Sequence, residues 1–107
     1  MTSQGSPYAR FRRALDNGQL TMVRATAAEL PRVALDDALR VCLLIRDQDP
    51  DQYDRAALRW VGRFALEAQS ATLADVRAAA DALARLPTDA EDAMARLEQL
   101  YFAHRLG

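Results

Sequence analysis

The sequence contains no lysine, one cysteine, one histidine and four glycines scattered singly. Each shortage closes off a class of chemistry. A lone cysteine, Cys42, cannot form an intrachain disulfide, and a reducing compartment is the simple expectation. Cys42 and His104 lie far apart in the chain and are too few of the usual ligands for a structural zinc site. Isolated glycines provide no phosphate-cradling loop, and no serine–histidine–acid set is credible around a histidine in the last turn of the last helix. The run Asp47-Gln48-Asp49-Pro50-Asp51 lacks the turn glycine and closing glutamate of a calcium loop. No apolar stretch approaches the ~20 residues that span a bilayer. The N-terminus, MTSQGSPYARFRR, has no apolar signal core. The expectation is a cytoplasmic, non-enzymatic protein without cofactor, metal or membrane.

What is present is balanced. The 14 basic residues, all arginine, face 15 acidic ones, for a net charge of −1. That balance argues against a dedicated nucleic-acid binder, which carries a clear basic excess. Arginine without lysine, abundant alanine and a single isoleucine are the marks of a GC-rich, bacterial genome. At 107 residues, half of them hydrophobic, the chain suits one domain with a real core.

The chain reads as six helices; periodicity alone does not separate strand from helix in the apolar run 41–45, where helix-forming flanks and the lack of a partner strand decide for helix. Residues 49–70, DPDQYDRAALRWVGRFALEAQS, read as one long central helix with Asp49 as N-cap and Pro50 at the first position. Tyr53, Ala57, Trp60, Phe64 and Ala68 gather on one face, at ~100° per residue. Leu58, Gly62 and Leu66 form a second row, with Gly62 expected where a neighbouring helix comes close. Two apolar flanks predict a mostly buried helix. Before it, residues 1–6 form a loose leader. A helix over 7–17 opens on Ser6-Pro7 and closes at Asn17-Gly18. Helix 19–30 points Leu20, Val23, Ala27 and Leu30 inward and stops at Pro31. Helix 34–48 carries Asp36 and Asp37 in its first turn, with Cys42 buried in the apolar run Val41–Ile45. After it, helix 73–86 is capped by Thr72 with Asp75 and faces Leu73, Val76, Ala80 and Leu83 inward. Helix 89–105 is capped by Thr88 with Glu91, and it buries Ala90, Met94, Leu97 and Tyr101. His104 extends that last stripe.

The chain also matches itself. Arg10-Phe11 recurs as Arg63-Phe64, an offset of 53 residues, and at that offset five of the eight residues Val23–Leu30 are identical to those of 76–83. Leu30-Pro31 and Leu86-Pro87 mark equivalent junctions. The expected units are 10–48 and 63–105, each too small to fold alone and stacked to share a core. In layout this resembles helical-repeat proteins of the HEAT or TPR type. The TPR signature positions are absent, and no function is carried over. The expected fold is therefore an all-α bundle of about six helices, residues 7–107 forming a single domain.

Three groups are candidates for contact with a partner. Arg55, Arg59 and Arg63 form a stripe at i, i+4 and i+8. It is either a solvated face, with Asp51–Arg55 and Arg63–Glu67 pairs, or a ridge for an acidic partner or a phosphate backbone. Arg10, Arg12 and Arg13 form a basic cluster. Leu44, Leu58 and Leu66 are the apolar residues a six-helix monomer is expected to leave uncovered, and they suggest a homodimer. The function expected is a protein–protein interaction module: an adaptor, regulator or assembly subunit. The alternative is a DNA-associated regulator using its arginine-rich helix faces. A helix-turn-helix made by the second and third helices is disfavoured, because Asp36 and Asp37 would face phosphates.

Overall fold

The structure, a computed structural model, describes residues 6–104, with side chains to residue 100. The leader 1–5, Arg105 and the side chains of Tyr101 and His104 lie outside the described residues. Six α-helices follow one another with no strand among the described residues: α1 (Pro7–Asp16), α2 (Leu20–Ala27), α3 (Leu35–Gln48), α4 (Tyr53–Glu67), α5 (Leu73–Arg85) and α6 (Ala90–His104). Every substantial helix–helix contact joins neighbours in sequence. The bundle is correspondingly elongated, 47 × 28 × 20 Å.

Local chemistry sets most of the boundaries. Ser6 caps α1 through its hydroxyl, which accepts from the Ala9 amide, with Pro7 behind it. Gly18 takes φ +65°, the left-handed conformation glycine adopts without strain, and turns the chain into α2. Thr72 and Asp75 form a reciprocal capping box at the start of α5.

Several boundaries differ from expectation: α2 ends at Ala27 and not Leu30, α4 ends at Glu67 and not Ser70, and two helix starts change. The central helix starts as a single 3-10 turn, Pro50–Gln52, and is α-helical only over Tyr53–Glu67. The Asp49 side chain caps nothing. Its backbone lies at φ −149°, ψ 60°, and its carboxylate accepts from Arg24 at 3.1 Å, so an arginine has taken the oxygen that a cap would use. At α6 the capping role falls to Asp89, whose carboxylate lies 3.5 Å from the Asp92 amide. The Thr88 hydroxyl instead donates back to the Arg85 carbonyl at the end of α5, so the Thr88–Glu91 box does not form.

The core has two parts. Phe11, Ala14, Leu15 and Val23 close the α1–α2 hairpin. A larger cluster takes Leu20 from α2 and residues from α3 to α6, and it centres on Tyr53, Trp60, Phe64, Leu83, Leu86 and Leu97. Val41 and Leu44 pack against both clusters, and Leu44 is half-buried, less exposed than Leu58 and Leu66. The Tyr53–Ala57–Trp60–Phe64–Ala68 face is buried throughout. The second row of α4 is not. Leu58 is 72% exposed, Leu66 is 84% exposed, and a Cβ on Gly62 would meet nothing within 4 Å. No helix approaches Gly62; this row points straight away from the core. On α5 the inward face is rotated from the expected one: Ala79, Ala82, Leu83 and the following Leu86 are buried, while Ala80 is exposed and Leu73 is 90% exposed. Leu73 is the first residue of α5, and helical side chains lean toward the N-terminus, so it reaches past the packed part of the bundle.

Candidate functional site

α4 positions the sequence's most distinctive side chains, and the three arginines of its stripe meet different fates. Arg63 is paired with Glu67 at 2.8 Å, as the i, i+4 spacing predicts, and Glu67 also takes Arg32 from the α2–α3 connection. Burial opposes ionisation of Glu67 more than any other single influence. The hydrogen bonds and charges of Arg63 and Arg32 together outweigh it and hold the carboxyl below its ordinary 4.5. Arg55 and Arg59 have no ion-pair partner among the described residues, and the expected Asp51–Arg55 pair is not formed. Asp51 and Asp54 lie with Arg55, Leu58 and Arg59 around a shallow depression on the outer face of α4.

Arg59 and Arg63 also border a feature assembled from three helices. A groove of ≈ 350 Å³ runs between α2, α3 and α4. Its floor is apolar: Val41, Cys42 and Ile45 from α3, and Trp60 and Ala56 from α4. Ala27 of α2 and Ala38 of α3 face the same space. Small side chains at these positions leave the gap between the helices unfilled. Arg24, Arg59 and Arg63 stand on its rim, and no carboxylate lines it. Arg24 is held by Asp49 just outside, and Arg63 by Glu67. Arg59 is the rim cation without such a partner.

Trp60 at the base of the groove is held by two contacts. The Trp60 indole N–H donates to the Leu35 carbonyl at 2.8 Å, and its ring stacks on Phe64 at 5.6 Å between centroids and 7° between planes. Trp60 is only 3% exposed, so it supports the floor and cannot stack an incoming base. Cys42 is buried, and that burial pushes its thiol up to about 11 against a smaller opposing pull from Arg59. A thiol so protonated is a poor nucleophile. Among the described residues no group of three or more His, Cys, Asp or Glu side chains is placed to hold a metal ion.

The structure separates the other candidates. In the basic cluster, Arg10 pairs with Glu29 at 2.8 Å. Arg12 reaches Asp37 at 3.0 Å, and the Tyr8 hydroxyl donates to the same carboxylate at 3.1 Å. Asp37 is 2% exposed, so this network fastens α1 to α3. Arg13 is exposed and stands without an ion pair among the described residues. Leu58 and Leu66 share the outer face of α4, about 12 Å apart along its axis, while Leu44 is half-buried between the two clusters. A second, smaller apolar hollow of ≈ 240 Å³ lies between α4 and α5, over Ala57, Val61, Ala80 and Ala84.

Sequence reasoning singled out Arg59 and Trp60 but not the groove they share, because its walls are brought together only by the packing of α2 and α3 on α4. No helix among the described residues is long and apolar enough to cross a membrane. No family model matches the chain, and no curated protein or solved structure matches it either.

Proposed function

We propose that this protein is an interaction module that binds another protein through α4. The observation that supports this is the outer face of that helix. Leu58 and Leu66 stand in solvent there, beside Arg55 and Arg59, which make no ion pair among the described residues. A helix that gives its other face to the core presents, on this one, apolar and cationic groups together with Asp51 and Asp54. Large solvated leucines interspersed with arginine are the composition of a contact surface. The reading places the protein as a cytoplasmic adaptor, regulator or assembly subunit, with a second copy of the chain as one form the partner takes.

Photo-crosslinking tests this in cells. A crosslinking amino acid at Leu66 is expected to trap discrete protein adducts that are absent when it replaces Gln99, an exposed residue of α6. Equal labelling from both positions would remove the reading. Light scattering on the purified chain identifies the partner type: a salt-insensitive dimer abolished by Leu58→Glu means self-association, and a monomer means a different protein.

A further inference from the structure

The groove between α2, α3 and α4 has a charge pattern unlike the rest of the molecule. The whole chain carries 15 acidic residues against 14 basic ones. Yet the groove is lined by Arg24, Arg59 and Arg63 and by no carboxylate at all. Two of these cations are already answered, Arg24 by Asp49 and Arg63 by Glu67. Glu67 itself is shared between Arg63 and Arg32, so that trio retains a net positive charge. Arg59 has no acidic partner among the described residues. A cationic rim over an apolar floor is complementary to a ligand that is acidic along its edges and apolar along one side.

The shape narrows the class of ligand. The groove lies open between helices, whereas a pocket for a small molecule encloses most of its ligand. Its floor does not suit a nucleic acid, because the buried Trp60 offers no face on which a base could stack. No strand edge exists among the described residues to take up an extended peptide. A channel between helices accepts the ridge of side chains on another helix.

Resting on the interaction reading above, we infer that this groove is the docking site for an acidic amphipathic helix of a partner protein. One apolar side chain of that helix enters between Ala38, Val41 and Ala56, above Trp60. Carboxylates one turn to either side meet Arg59 and the Arg63–Arg32 pair. The exposed leucines of α4 lie beside this site but do not form it.

The test is selection of a displayed library of random peptides, each of about 15 residues and so about four helical turns, against the full chain. The expected winners combine apolar residues at i and i+4 with flanking Asp or Glu. Their binding falls with salt, drops roughly tenfold or more with Arg59→Glu through loss of a charge-assisted contact, and is blocked by Ala56→Phe, which fills the floor. It survives Leu58→Glu, which lies outside the groove. Arg59 is exposed, so its substitution leaves the fold intact even where Ala56→Phe does not. Winners without acidic residues overturn the inference. Winners indifferent to Arg59→Glu but lost with Leu58→Glu also overturn it, while leaving the interaction reading standing. A library that yields no binder overturns the inference, and the crosslinking at Leu66 then decides the interaction reading by itself. A duplex oligonucleotide that binds through Arg59 where acidic peptides do not would assign the rim to phosphate instead.

Discussion

Trp60 does two jobs with one side chain. Its ring fills the space beside Phe64, and its N–H fixes the start of α3 through the Leu35 carbonyl at 2.8 Å. Trp60→Ala removes both and is expected to cost roughly 3–5 kcal/mol; Trp60→Phe keeps much of the ring and loses the bond, for about 1–2 kcal/mol. Urea unfolding measures each, and a loss below about 1 kcal/mol for the alanine variant would contradict the core role. Tyr53 is built similarly, donating to the Leu83 carbonyl at 2.6 Å. Burial is the main cause that pushes its hydroxyl from 10.0 up to about 12, helped by the neighbouring Cys42, and burial likewise moves Cys42 from 9.0 to about 11. Both groups are neutral when protonated. Well below pH 9 the folded and unfolded chains hold these protons equally, and stability is unaffected by them. Between pH 9 and 12 the unfolded chain releases protons that the folded chain keeps, so stability falls as pH rises. Urea midpoints at pH 8 and pH 10.5 should separate clearly for the natural chain and less for a Tyr53→Phe, Cys42→Ala double variant. An identical pH dependence in both would show that other groups govern alkaline unfolding.

At the scale of the element, α4 shows that hydrophobic periodicity locates a helix without saying which side is buried. Its two apolar rows were both legible in the sequence, and the aromatic one is the core. The other, Leu58–Gly62–Leu66, looked equally apolar, and only the positions of the flanking helices decide that it faces solvent. Gly62 carries a consequence. Its missing side chain serves no helix contact, since nothing lies within 4 Å of where a Cβ would stand. Gly62→Ala is therefore expected to stabilise the protein by about 0.5–1 kcal/mol, by relieving the entropic penalty of glycine inside a helix. Calorimetry reads this directly, and destabilisation would mean that a hidden contact exists there. Caps were legible where short-range chemistry acts alone, as at Ser6 and Thr72. They were misread where a distant residue competes, as when Arg24 takes the Asp49 carboxylate. The inward face of α5 was misjudged because alanine dominates that helix and gives little direction to its pattern. The same weakness touches the internal match. Identity aligns α2 with α5 at an offset of 53, where buried Leu20 meets exposed Leu73. Burial aligns them at 56: Leu20 with Val76, Val23 with Ala79, Thr26 with Ala82, and Leu30 with Leu86. The groove was not legible at all, because it is the space left by Ala27, Ala38 and Ala56 on three separate helices.

Among the described residues the substantial helix–helix packing is between neighbours in sequence, and such a line need not open all at once. The weakest seam lies between the α1–α2 hairpin and the rest. The hairpin has its own small core, joined to the larger one by Leu20 of α2, which is buried in the larger cluster, and by Val41 and Leu44, which pack against both. Much of what crosses the seam is polar: Arg12 to Asp37, Arg40 to Asp16 at 2.9 Å, Arg24 to Asp49, and the Gln48 amide to the Gly18 carbonyl at 2.7 Å. The exposed pairs among these are weak and screened by salt, while the buried Asp37 network is screened much less. Amides of α1 and α2 are therefore expected to exchange with solvent water faster than those of α4 and α5, by an opening that salt promotes. Leu44→Ala should accelerate this opening further, whereas Leu66→Ala, out in solvent, should not. Hydrogen exchange followed by mass spectrometry resolves these segments, and uniform protection across all six helices would show one cooperative unit instead. The seam passes beside the groove, whose rim takes Arg24 from the hairpin and Arg59 from α4. A helix docked there would bridge both sides of the seam, and binding only the closed form must stabilise it. An acidic peptide that occupies the groove should thus slow exchange in α2 more than in α5. A peptide bound on the outer face of α4 alone would leave α2 unchanged.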